Sequence, residues 1–306
     1  MSFCRNRVLL ILLAVLPLTG CLFRSRKVQP PVAAGPLKAA TQQELIAYVN
    51  AQAARIQTIQ ATVDIDTSVG GAQKGKVTDY QQIRGYVLVR KPSMLRMIGL
   101  TPIVRTTAFD MVSDGRDFKL SIPPKSRFVV GRNDIESHSI TQPLENLRPR
   151  HIYDALLIRE IALGEIAVLE TETETVVVSK KRRVEQPEYI LDVIRQSERG
   201  WVLSRKIVFN RSDLLPHRQI LYDDQGEIAT DASYEEYKEQ NGVSFPWQIE
   251  ISRPKEEYDI TLTTVKLELN GPLGDDRFVL AQPPGAEVVH LDKPNAGSAT
   301  GPQNSR

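Results

Sequence analysis

From residue 58 onward, apolar and polar positions mostly alternate in steps of two. Val63, Ile65 and Thr67 alternate with Asp64, Asp66 and Ser68, the period of a strand with one dry and one wet face. Val77 to Arg90 continues the pattern, with Ile83, Val87 and Val89 on one face. Lys91-Pro92-Ser93 breaks it, and Met94 to Ile98 resumes it. Ser113-Asp114-Gly115 joins Val104–Val112 to Phe118–Ile122 as a hairpin, and Arg127 to Val130 adds a short strand. From Ile166 the chain reads as strand almost throughout. Thr173–Ser179, Tyr189–Ile194, Trp201–Phe209, Pro216–Tyr222, Ile228–Tyr237, Val243–Ser252 and Tyr258–Leu269 follow one another. Arg199-Gly200, Asp223-Asp224-Gln225-Gly226, Asn241-Gly242 and Asn270-Gly271 supply turns, which predicts an antiparallel meander.

Two stretches keep a helical period instead. Thr41-Gln-Gln-Glu44 is a capping box, and Leu45, Val49, Ala53 and Ile56 recur behind it, predicting a helix over 42–57. Residues 133–164 lack β-branched runs. Apolar positions 147, 152, 156 and 157, with Pro149 near a helix start, predict one or two helices there. The sum is a mainly β (α+β) chain of roughly eleven to thirteen strands, too many for a flat sheet. A twisted sheet of that size either curls into a barrel or splits in two, with the helices inside the curl or across its mouth.

The first twenty-one residues are of another kind. Arg5 and Arg7 precede an unbroken apolar run, Val8 to Leu16, which is followed by Leu18-Thr19-Gly20-Cys21. A positive start, a short apolar core and small residues before a cleavage point describe a secretory signal, and the run is too short to span a bilayer. Leu-Thr-Gly-Cys resembles the lipobox of bacterial lipoproteins. That resemblance implies cleavage between Gly20 and Cys21 and lipid attachment at Cys21, a palmitate-type modification of the new N-terminus. Leu22 rather than aspartate after the cysteine implies outer-membrane sorting in hosts with such a system. Phe23 to Ala40, with Pro30, Pro31, Gly35 and Pro36, is expected as a tether. The expected organisation is signal 1–20, lipidated tether 21–40, folded domain 41–290 and a disordered tail 291–306.

Charge and cysteine content narrow the field. Of the 306 residues 39 are Lys or Arg and 37 Asp or Glu. Loss of Arg5 and Arg7 leaves the mature chain formally neutral, so no global field points to nucleic acid. Cys4 leaves with the signal and Cys21 carries lipid, so no cysteine remains for a disulfide, a metal or a nucleophile.

The order of elements resembles the LolA/LolB-type lipoprotein carrier and receptor family. The matching stretches are Ile56-Gln-Thr-Ile-Gln-Ala-Thr-Val63, Gly85-Tyr-Val-Leu-Val-Arg-Lys-Pro92 with Leu95-Arg96, Ser113-Asp114-Gly115, Pro216-His-Arg-Gln-Ile220, Asn241-Gly-Val-Ser-Phe-Pro246 and Asn270-Gly-Pro-Leu273. The resemblance implies a half-open antiparallel β-barrel of roughly eleven strands with a helical lid, whose apolar interior holds acyl chains of lipoproteins or lipids without catalysis, and a part in lipoprotein sorting or insertion at the outer membrane. It further implies a lid-latching role for Arg96, against the plain reading of a solvated strand arginine. It also implies a membrane-touching loop over Ile98–Ile103 with Leu100 at its tip, against a packed turn. The competing class is a structural lipoprotein that docks to an envelope complex.

Other chemistry lacks its motifs. His138, His151, His217 and His290 have no metal-ligand spacing, and neither a Gly-x-Ser-x-Gly elbow nor a phosphate loop occurs. No cofactor or metal is expected. Glu170, Glu172 and Glu174 share one strand face and read as a solvated row, as Lys180-Lys-Arg-Arg183 reads as a hairpin tip. Trp201 and Trp247 are expected in the core or lining the cavity.

Overall fold

The computed structural model describes residues 32–33, 36–71, 75–134, 148–179 and 182–291. Gly20, Cys21, His138, Lys180, Lys181 and the tail from 292 lie outside these residues.

Helix α1 (Gln42–Arg55) begins where the capping box predicts. The Thr41 hydroxyl accepts from the Glu44 N–H, and the Glu44 carboxylate accepts from the Thr41 N–H at 2.7 Å. Leu45, Val49 and Ala53 form its buried stripe. A first meander follows: β2 (Thr58–Gly71), β3 (Lys76–Arg90), β4 (Met94–Leu100), β5 (Thr107–Ser113), β6 (Asp117–Ile122) and β7 (Arg127–Arg132). Helix α2 (Pro149–Leu156) separates it from a second. That one comprises β8 (Ile166–Ser179), β9 (Arg182–Ser197), β10 (Gly200–Asn210), β11 (Pro216–Tyr222), β12 (Ile228–Gln240), β13 (Val243–Arg253) and β14 (Tyr258–Leu269). The two meanders join where β14 lies antiparallel to β2, Leu269 opposite Ile59 and Tyr258 opposite Val69.

Fifteen strands are thus counted among the described residues, against the roughly eleven expected. Two of them were invisible to periodicity because they are too short to show one. β1 (Val32–Ala33) pairs in parallel with Val184 and Glu185 of β9, and β15 (Glu287–His290) pairs in parallel with β7. Val32–Ala33 and Lys38 fall within the stretch expected as a tether. The Lys38 N–H donates to the Arg211 carbonyl at 2.8 Å, a second fastening of that stretch to the domain.

The sheet is open, since its two ends do not pair with each other. Register shifts in β2–β3, β14–β2, β9–β10 and β10–β11 mark places where bulges bend it. Its inner face collects the main core: Ile59, Val63 and Ile65 from β2, Leu95 and Met97 from β4, Phe245 and Ile251 from β13, Ile260 and Leu262 from β14. α2 belongs to this same cluster through Ile152, Ala155 and Leu156. The helix expected as a lid is therefore a plug. α1 packs beside it, Leu45 and Val49 against Tyr189, Leu191, Ile207 and Phe209 of β9 and β10.

Gly85 and Gly99 face each other across β3 and β4. A Cβ at Gly99 would lie 2.3 Å from the Phe109 ring and 2.7 Å from Ile83 Cδ1. The ring folds over the strand only because that side chain is missing. Gly99→Val is expected to destabilise the fold by about 1–3 kcal/mol through overpacking, read as a lower urea midpoint at unchanged m.

Candidate functional site: a plugged apolar interior

α2 is eight residues long, below the length at which a helix holds itself together in water. Its stability comes from its surroundings. Ile152, Ala155 and Leu156 are buried against the inner face, and side chains from the wall satisfy its ends. At the N-terminal end the Arg150 N–H donates to Asn133 Oδ1 at 3.3 Å, and Asn133 is itself fixed by donating to Ser113 Oγ at 2.8 Å. At the other end the last carbonyls have no partner within the helix. Gln219 Nε2 of β11 donates to the Asp154 carbonyl at 3.1 Å, and Tyr234 Oη of β12 donates to the Ala155 carbonyl at 2.9 Å.

The chain leaving α2 is held in the same way. Arg205 of β10, only 1% exposed, donates through both terminal nitrogens to the carbonyls of Arg159 and Glu160 at 2.8 Å each. Asn50 of α1 accepts from the Ile161 N–H at 2.8 Å. On the opposite wall Tyr153 Oη donates to the Pro92 carbonyl at 2.6 Å. The plug and the chain leaving it are thus laced to both halves of the sheet and to α1 by polar bonds.

Where α2 ends, a crevice opens between it, α1 and β12–β13, bordered by Tyr48, Gln52, Leu156, Tyr237 and Phe245. It holds about 50 Å³ of free space. Ligand pockets are generally about 300–1,000 Å³. Among the described residues, α2 fills the interior that was expected to stand open for an acyl chain.

Burial sets the electrostatics of the plug. It holds the His151 imidazole well below its ordinary range, helped by the guanidinium groups of Arg253, Arg148 and Arg150, so the ring is neutral at pH 7. It raises the Asp154 carboxyl, with Arg150 and Arg159 opposing the shift. It lowers the Arg205 guanidinium to about 10, which leaves it charged.

The residues singled out from the sequence fall elsewhere. Arg96 is on the outer face of β4, opposite in parity to the core residues Leu95 and Met97. Its guanidinium forks onto Asp110 at 2.7 and 3.0 Å and donates to the Arg277 carbonyl at 2.8 Å. These bonds tie the C-terminal stretch to the outer face, and the bonds on α2 come from other residues. Leu100 ends β4, paired with Arg84 and Thr107, and does not form the tip of its loop. The tip is Ile103, 98% exposed, and Val104, 73% exposed, with Ile103 at φ 68°. That left-handed conformation is strained for a β-branched residue.

Glu170, Glu172 and Glu174 line the exposed face of β8, Glu170 lying 3.7 Å from Lys206 Nζ. Trp201 is 57% exposed, which corrects its expected burial, whereas Trp247 packs against the core. His151 rides on α2, His217 meets Asp213 at 2.9 Å, and His290 lies in β15. Among the described residues no group of three or more His, Cys, Asp or Glu is arranged to hold a metal. No described helix is long and apolar enough to cross a membrane. Arg205, Gln219 and Tyr234 were missed, although Arg205 shares the parity of Ile207 and Phe209, a charge on an apolar face.

Two outcomes test this arrangement. Tyr234→Phe leaves the Ala155 carbonyl buried without its donor and is expected to cost about 1–3 kcal/mol in urea unfolding. Below about pH 6.5 the unfolded chain protonates His151 and the folded protein does not, so stability falls with pH by up to about 1.4 kcal/mol per unit. In His151→Leu that part of the acid-side slope disappears, as measured by urea titrations across the range.

No family model and no curated relative matches the chain. Among solved structures it is similar to a LolA superfamily protein from Nitrosomonas europaea, at 16% identity and a TM-score of 0.46 over 79% of this chain and 99% of the other. It is also similar to a DUF1329 family protein from Desulfovibrio piger, at 15% and 0.47 over 77% and 94%. A third is an outer membrane lipoprotein-sorting protein domain from Vibrio parahaemolyticus, at 12% and 0.43 over 76% and 94%.

Proposed function

We propose that the protein is a lipid-anchored, non-catalytic envelope component that takes acyl chains of lipids or lipoproteins into the space now filled by α2. The observation that carries this reading is the plug. An apolar interior is closed by a marginal helix whose ends are held by hydrogen bonds to side chains of the wall, bonds that exchange readily once water or another acceptor enters. Acyl chains gain about 0.8 kcal/mol for each buried CH₂ and suit an inner face of Ile, Leu, Val, Met and Phe.

Cys21 would hold this cup at the bilayer through two or more acyl groups, since one chain anchors only marginally. The outer membrane is the proposed site, with the folded part facing the periplasm and residues 41–290 as the binding domain. The strained, exposed Ile103–Val104 tip replaces Leu100 as the proposed contact with the membrane. One observation favours the second reading, a docking lipoprotein with a permanently filled core: the free space in the crevice is only about 50 Å³.

Native mass spectrometry of the full chain carrying Cys21→Ala, after incubation with phospholipid vesicles, decides between them. Bound acyl lipid supports the carrier reading, and a protein that stays empty overturns it. Fractionation of cells should move Cys21→Ala from the membrane to the soluble periplasmic fraction. In vesicle flotation, Ile103→Asp with Val104→Asp should reduce residual membrane binding of that unlipidated form severalfold.

A further inference from the structure

Four carbonyl oxygens of the plug and its exit, those of Asp154, Ala155, Arg159 and Glu160, are each held by a donor from the wall. The donors come from three adjacent strands, β10, β11 and β12, and Arg205, Gln219 and Tyr234 are each at most 2% exposed. Any movement that admits cargo takes the four acceptors away and leaves the donors facing an apolar space. A buried donor without a partner is costly, and a hydrocarbon entering there offers it nothing. The carbonyl of an ester-linked acyl chain is a neutral acceptor of the same kind as the peptide carbonyl it would replace.

The local charge points the same way. Glu165, just before β8 and outside the plug, has its carboxylate 3.5 Å from Arg205 Nη2 and is forked by the Arg159 guanidinium. An anionic group brought to Arg205 would also meet the Glu165 carboxylate. Arg205 Nε lies buried beside these groups with no partner, a fifth donor available to an acceptor.

We infer that Arg205, Gln219 and Tyr234 form a binding site for the ester carbonyl oxygens of an acylated glycerol, occupied in the closed protein by the plug's own carbonyls. This rests on the acyl-binding reading above. The site selects for the ester linkage, while the apolar inner face accepts the chains.

The test uses the full chain with Cys21→Ala and two probes of equal chain length, dioleoylglycerol and its dialkyl ether analogue, which lacks both carbonyls. Titrations followed by native mass spectrometry should show the ester bound roughly tenfold more tightly or better. Tyr234→Phe, which removes one oxygen atom, and Gln219→Met should each lower that ratio, and the double variant should bring it near one with ether binding retained. Equal affinity for the two probes in the parent protein, or an unchanged ratio in the double variant, overturns the inference while leaving acyl binding intact. A stronger preference for dioleoylphosphatidic acid that is lost in Arg205→Met would overturn the neutral-carbonyl assignment in favour of an anion site. Failure of both glycerol probes and the phosphatidic acid to bind overturns the acyl-binding reading itself. Thermal unfolding of each variant, with Arg205→Lys as the charge-retaining control, identifies any loss that comes from misfolding.

Discussion

A short helix enclosed by a sheet has no water to which its terminal carbonyls can turn. That constraint runs through the whole interior. The curled sheet must bury its inner face, α2 supplies the missing apolar surface, and the wall must then supply donors for α2. Arg205, Gln219 and Tyr234 answer that need from strands whose inward residues include Ile207, Phe209 and Ala232. Removing the donors would strand the carbonyls, and removing the helix would strand the donors. The arrangement is stable while both sides are present.

The molecule divides its rigidity accordingly. The outer face is fastened by charge-assisted bonds: Arg96 on Asp110 and the Arg277 carbonyl, and Arg90 on the Leu273 carbonyl and Asp275, with its guanidinium 5.1 Å over the Phe278 ring. Leu88, Val112, Leu273 and Phe278 form a small second core beneath them. The inner contents hang on a few side-chain bonds and the burial of one helix. A stiff shell around a weakly held filling is the mechanical condition for exchanging the filling without unfolding the shell.

Local signals in the chain carried the elements well. The Thr41–Glu44 capping box, the two-residue period of the strands and the Asn-Gly and Asp-Gly turns lie within a few residues of what they determine, so α1 and thirteen strands were legible. The location of α2 was not, because a helix covering a sheet from outside and one plugging it from inside share the same apolar stripe. The parity of Leu95 and Met97 already placed Arg96 on the outer face, and the parity of Ile207 and Phe209 placed Arg205 on the inner one. The loop tip at Ile103–Val104 depends on where β4 stops pairing with β3, a tertiary property that alternation does not encode.

The seam between β14 and β2 has a further consequence. Ile59 and Leu269 are neighbours in the sheet although nearly the whole domain separates them in sequence. Closing so large a loop costs entropy before any contact across the seam repays it, and non-local sheets fold slowly for that reason. In synthesis from the N-terminus, β2 is complete long before its partner β14 exists. Until then β2 presents an unpaired edge, so the interval before β14 is made is when this protein most needs an escort against aggregation.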